Sequence, residues 1–235
     1  MDLLFSILTV SLFAATIRAA TPLVLAALGG IFSERSGIVN IALEGIMLIG
    51  AFFAMMISYY GAQFGLSPLV SALSGVAGAV IFGFLISMIH AVVSIRFRAD
   101  QVVSGVAINI LALGLTGFLL QLIFNTSGNS PSVPNLAAWP IPVLSSIPIL
   151  GPIFFNQPPV VYLALIAVPL SSFILFKTPL GLRLRSVGEH PKAADTVGIN
   201  VFSLRYLGVG LSGVLAGLAG AYLSIGQLNI FTENM

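Results

Sequence analysis

The chain has 235 residues, 58% of them hydrophobic and only 7% charged, with a mean hydropathy of +1.10. Soluble domains carry about 25% charged residues, so this composition cannot clothe a water-facing surface. A formal charge of +2 gives no reason to expect a nucleic-acid partner, and the absence of cysteine excludes disulfides and thiolate metal sites.

Apolar runs of about 20 residues cross a hydrocarbon core about 30 Å thick, and several occur here. The N-terminus lacks the basic stretch and small-residue cleavage site of a secretory signal, so the first run, 3–33, is expected to stay in the membrane. Interrupted by Arg18 and Thr21-Pro22, it is long for one span and short for two, and its span count stays open. Further apolar segments lie at 37–58, 68–93, 101–124, 159–176 and 206–225. All are read as helices, because backbone groups in lipid must be hydrogen-bonded within their own segment. The chain is thus expected to form one all-α polytopic domain over 1–235.

In "ERSGIVNIALEGIML" (34–48), Asn40 and Glu44 are four apart and share a helical face, with Gly37 and Gly45 permitting a broken or closely packed helix. A carboxylate inside the membrane must be paired, protonated or wetted. Glu44 is therefore a structural partner of a neighbouring helix, a lining residue of a translocation path, or a proton-coupling group whose relay is not visible. Next, Ser71, Gly75, Ala79, Gly83 and Ser87 form a small-residue stripe, the signature of a close helix seam. Asn109, amid "VVSGVAINILALG", is either a second path candidate or an interhelical hydrogen-bonding group.

The loops alternate in charge. Residues 91–100 carry Arg96, Arg98 and Asp100, whereas 59–67 and 125–158 carry no charge. Residues 177–205 hold Lys177, Arg183, Arg185, Lys192 and Arg205 of the chain's nine basic side chains. The positive-inside rule then places 91–100 and 177–205 in the cytoplasm and 125–158 outside. The outer loop holds Pro131, Pro134, Pro140, Pro142, Pro148, Pro152 and Pro158, so continuous helix there is excluded. A structured cap is expected, with Trp139 at the membrane interface and with room for an external partner to dock. The last span carries a second small stripe, Gly213, Gly217, Gly220 and Ser224.

Within 177–205, "GEHPKAADTVGI" predicts a short helix over about 191–197. Pro191 suits its first turn, Glu189 its positive end, Ala193 and Ala194 one smooth side, and Gly198 its stop. Such a peg fits a groove on a cytosolic partner better than it fits lipid; a solvated loop is the plainer alternative. Arg183 and Arg185 are placed against anionic membrane lipid. His90 and His190 are isolated, with no ligand-spaced companion for a metal. No G-x-S-x-G, H-E-x-x-H or P-loop is present, so enzymatic chemistry has no visible seat.

"GLRLRSVGEHPKAADTVGINV" closely resembles the cytoplasmic loop of ABC importer permeases of the branched-chain amino acid, sugar and nucleoside uptake superfamily. "ATPLVLAALGGIFSERSGIVNIALEGIMLIGAF" is similar to that family's N-terminal signature. "RFRADQVVSGVAINILALGLTGF" and "YLSIGQLNIFTENM" resemble its nucleoside branch. The resemblance implies a type II importer permease fold and alternating access. Gly188, Glu189, His190, Pro191, Ala193, Ala194 and Gly198 would then form the coupling helix and its cap, docked on a cytosolic ATPase subunit. Asn40, Glu44 and Asn109 are the path candidates. This chain would bind no cofactor itself, ATP and Mg residing in the ATPase. Its implied partners are a second permease chain, self or paralogue, and an external substrate-binding protein or lipoprotein, in the bacterial cytoplasmic membrane. His190 stands where members often have asparagine. The chain stops after "FTENM" where such permeases continue, so C-terminal spans are expected to be missing. The rival readings are a permease for simple sugars or branched-chain amino acids, a secondary transporter, and an intramembrane enzyme.

Overall fold

The computed structural model describes residues 9–233 and 235; the start of the first expected span, 3–8, lies outside the described residues. α1 (Val10–Arg35) starts at Thr9, whose hydroxyl accepts the Leu12 N–H, and runs through Pro22 without a break. The run whose span count was open is therefore one helix over the described residues. α2 covers Leu43–Gln63 and α3 covers Pro68–Ala91, the latter prolonged by a π-helical turn to Arg96. α4 (Gln101–Phe124) is capped by Asp100, which accepts the Val102 and Val103 N–H groups, and it ends at Asn125 in the left-handed conformation. α5 (Pro159–Lys177) is followed by two short helices, α6 (Pro179–Glu189) and α7 (Pro191–Thr196). α8 (Val201–Ala221) continues in π-helical turns to Leu228. Among the described residues, six helices, α1 to α5 and α8, are long and apolar enough to cross a membrane.

α2, α3 and α8 form the dense centre. The two small-residue stripes meet there: a Cβ on Gly83 would strike the Gly213 carbonyl, and one on Gly217 would strike that of Ala79. Gly50 meets Gly217 in the same way, and Gly220 meets the Met47 carbonyl. Without side chains at these positions the backbones approach closely, which is how helices associate where lipid removes the hydrophobic drive. Phe52, Met55, Tyr222, Ile225 and Phe231 fill the space above the seam toward the outer end. α4 and α5 lie on the flank with apolar side chains outward, among them Val103, Ile110 and Ile166.

The loop 125–158 is structured. Ser130 and Val133 donate backbone N–H groups to Phe231 and Asn229, and Leu136 donates to Ile225, so residues 130–136 run along the segment after α8. β1 (Trp139–Pro140) pairs with β2 (Asn156–Gln157), and Trp139 stays exposed. Buried Gln157 accepts a hydrogen bond from the Arg18 guanidinium at 3.3 Å, which gives this mid-helix cation of α1 a polar partner. The basic loops gather at the opposite end of the bundle, where the clefts that border Arg98, Lys192 and Arg205 also border the α1–α2 connection.

Candidate functional site

The expected helix 37–58 begins only at Leu43, because Gly37 takes a φ of +85° and residues 36–42 unwind. Unwound backbone at such a place must be satisfied by protein. Ser33 Oγ donates to the Ile38 carbonyl, and Gln101 Oε1 accepts the Val39 N–H at 2.8 Å. His90 holds the Val39 carbonyl with one ring nitrogen and the Ser104 hydroxyl with the other. Asn40 Oδ1 accepts the Ala42 N–H while its amide donates to Ser212 Oγ on α8. Asn109 accepts the Gly45 N–H at 2.8 Å and donates to the Ile41 carbonyl at 3.1 Å. Five side chains from four elements thus brace seven residues.

The candidate path residues part company here. Asn40 is buried against α8 and faces no cleft. Asn109 caps α2 from another helix, since Ala42 at its start offers no side chain for the purpose. Asn109 lies eight residues beyond Gln101, about 12 Å further along α4, so the braced segment climbs that far beside it. Glu44 is exposed in the first turn of α2, where the helix dipole favours a carboxylate. With Asn109, Leu113 and Met235 it lines a cleft of about 330 Å3. Glu44 and Asn109 therefore share one site, and Glu44 alone of the three has its side chain free for a ligand. The sequence weighed His90 only as a metal ligand and assigned neither it nor Gln101 to this site. Their partners are main-chain atoms 51 and 62 residues away, which no local spacing signals.

Asn109→Leu would strand the Gly45 N–H and the Ile41 carbonyl. Gly45 is buried and Ile41 exposed, so at about 1–3 kcal/mol for the one buried orphan the apparent melting temperature in detergent should fall by about 5 °C. Gln121→Leu, on the exposed outer end of the same helix, should leave it within about a degree. Equal melting of the two variants would remove Asn109 as a brace.

The basic loop 177–205 adjoins this break. A Cβ on Gly188 would collide with the Arg35 carbonyl and meet Gly37, so α6 is pressed directly against the unwound segment. Leu184 and Val187 bury one face of α6, and Arg185 stacks over the Phe176 ring at 5.2 Å. Helix continues through Glu189, the last residue of α6, so that carboxylate sits at the negative end of one helix as well as before α7; the expected dipole benefit is not clean. His190 separates the helices in a non-helical conformation (φ −138°, ψ 74°) and accepts the Ala194 N–H through its carbonyl, while its ring forms no cap bond. Gly198, at φ +80°, ends the turn after α7.

One expectation needs revision. Ala194 is buried and Ala193 exposed, so the two alanines do not form a common outward side. The exposed residues of the peg are Lys192, Ala193, Asp195, Thr196 and Val197, the last 73% exposed; Ala193, Thr196 and Val197 form its outward surface, while Lys192 and Asp195 border the cleft beneath.

Among known proteins, the chain is 51% identical over 88% of its length to the guanosine ABC transporter permease protein NupQ of Bacillus subtilis. It is 47% identical over 86% to the nucleoside ABC transporter permease protein NupC of Lactococcus lactis. TsgC13 of Haloferax volcanii, provisionally named a glucose ABC transporter permease, is 36% identical over 94% of the chain and 64% of its own length. The chain spans 64% and 63% of the lengths of NupQ and NupC. No solved structure matches significantly. A membrane bundle of this kind, with its basic loops at one end, agrees with the family model that matches residues 12–235, and the chain belongs to that family, the permease component of branched-chain amino acid transport systems.

Proposed function

We propose that this chain is a permease subunit of an ATP-driven nucleoside importer of the inner membrane, working by alternating access. The observation that carries the reading is the seating of the α6–α7 loop: Gly188 rests on the unwound segment 36–42, and Val197 stands out from the end of the bundle where the basic loops gather. A cytosolic ATPase subunit, holding ATP and Mg, would grip the outward surface of α7. Movement of α7 would pass through Gly188 to the braced segment and so to α2, α4 and α8. The exposed apolar flank of α4 and α5 suits lipid or a second permease chain, self or paralogue. The uncharged outer cap suits an external substrate-binding protein. Glu44 is the group best placed to meet a polar solute between α2 and α4.

Nucleosides are favoured because two relatives near 50% identity carry guanosine or nucleoside in their names. The test is uptake of labelled guanosine by cells expressing the whole importer, with uridine, adenosine, ribose, glucose and leucine as competitors. Uptake should vanish with an ATPase-dead partner and be suppressed by nucleosides alone. Suppression by ribose or glucose would replace the substrate class, and uptake indifferent to the ATPase would replace the mechanism by secondary transport.

A further inference from the structure

The coupling helix roofs a cleft that its docking role leaves unexplained. Between α7, the α3–α4 connection and the start of α8 lies a cavity of about 600 Å3 bordered by Arg98, Lys192 and Arg205. Asp195 is the one carboxylate on its wall, so the lining is net cationic. Two buried polar atoms there lack any hydrogen-bond partner: Ser94 Oγ, on a residue 7% exposed, and the Nε of Arg205. Buried donors without partners are costly, and donors together with cations call for an acceptor of negative charge. A second cleft of about 440 Å3 shares Ile95, Arg98 and Phe202 with the first and adds Phe97 and Tyr206. Phe97 and Phe202 are 72% and 56% exposed, so flat apolar faces lie beside the guanidinium groups.

A phosphate group answers the cations and the Ser94 hydroxyl, and a flat ring answers the aromatic side chains. We propose that these joined clefts bind a nucleoside monophosphate from the cytoplasm. The bound phosphate would tie Lys192 on α7 to Arg98 and Arg205 on the bundle, holding the coupling helix still and slowing transport. A phospholipid headgroup offers the same phosphate, and the membrane composition separates the two sources. The choice of a guanine nucleotide as probe rests on the nucleoside-import reading above; the existence of a phosphate site does not.

The experiment is calorimetric titration of the assembled importer in neutral phosphatidylcholine nanodiscs with guanosine 5′-monophosphate, guanosine and inorganic phosphate, without ATP. The monophosphate should bind about tenfold more tightly than either fragment, as the loss of a charge-assisted contact set or a ring stack would give. Arg98→Gln and Lys192→Gln, both at exposed positions, should each weaken it about tenfold, while Lys177→Gln, outside the clefts, should not. Nanodiscs with phosphatidylglycerol should leave the affinity unchanged; displacement by that lipid would assign the site to a headgroup and overturn the nucleotide. Equal affinity for guanosine and its monophosphate, or indifference to both variants, would overturn the proposal outright. An importer that binds the monophosphate here yet moves no nucleoside would overturn the import reading and leave this site standing.

Discussion

Gly217→Val should abolish recovery of folded chain from the membrane, whereas Gly114→Ala should leave recovery unchanged. Both substitutions add carbon to a glycine on a spanning helix, so lipid contact and insertion hydrophobicity change in the same direction. What differs is the space. A Cβ on Gly217 meets the Ala79 carbonyl and the Gly83 Cα, and the Gly50 backbone lies against the same residue from α2. These are backbone atoms, which cannot swing aside as a flexible side chain can. Overpacking a tight core costs about 1–3 kcal/mol and more when backbone must shift. Here three helices would have to separate together. At Gly114 nothing lies within 4 Å, and alanine is the better helix former. Monodisperse yield in size-exclusion chromatography checks both. Normal yield of Gly217→Val would mean that the α2–α3–α8 seam is not the centre of the bundle.

Val197→Arg should cut ATP-dependent uptake about tenfold, the loss of an interface anchor, while the chain remains folded and inserted. Val197 is 73% exposed at the tip of the turn after α7, so the new side chain points away from the described residues. It would meet whatever grips α7. Ala194→Arg makes the contrast: Ala194 is buried beneath the same helix, and an arginine there would unseat α7 and lower stability as well as uptake. Uptake, ATP hydrolysis and melting temperature measured on the two variants separate uncoupling from unfolding. Undiminished uptake by Val197→Arg with normal melting would remove the docking role of this surface.

Much of the architecture was legible because it is periodic or local. The stripes through Gly83 and Gly217 recur every third or fourth residue, and α3 and α8 meet along them. The peg over 191–197 was readable from Pro191 and Gly198, which act within one turn, and helix occupies Pro191–Thr196. Its outward face was not readable. Whether Ala193 or Ala194 turns inward depends on the angle at His190, and that angle is set by the packing of Gly188 on the α1–α2 connection. The brace was hidden for a related reason. Asn40 and Glu44 were paired on one helical face, yet the chain unwinds between Gly37 and Leu43 and sends them in different directions, Asn40 to Ser212 and Glu44 to the α2–α4 cleft. A polar residue in a span announces that it needs a partner; only the tertiary fold says which one.

The lacing of the outer cap sets an order of maturation. Phe231 donates its N–H to the Ser130 hydroxyl, a partner 101 residues earlier in the chain, and accepts the Ser130 N–H in return. A ribosome adding about 5–20 residues per second delivers that partner about 5–20 s after Ser130 has been made. For that interval the Ser130, Val133 and Leu136 N–H groups lack these partners, an edge open to wrong pairing. The cap closes when α8 is in place. A nascent chain that stalls before α8 is made therefore leaves residues 130–136 without these backbone partners.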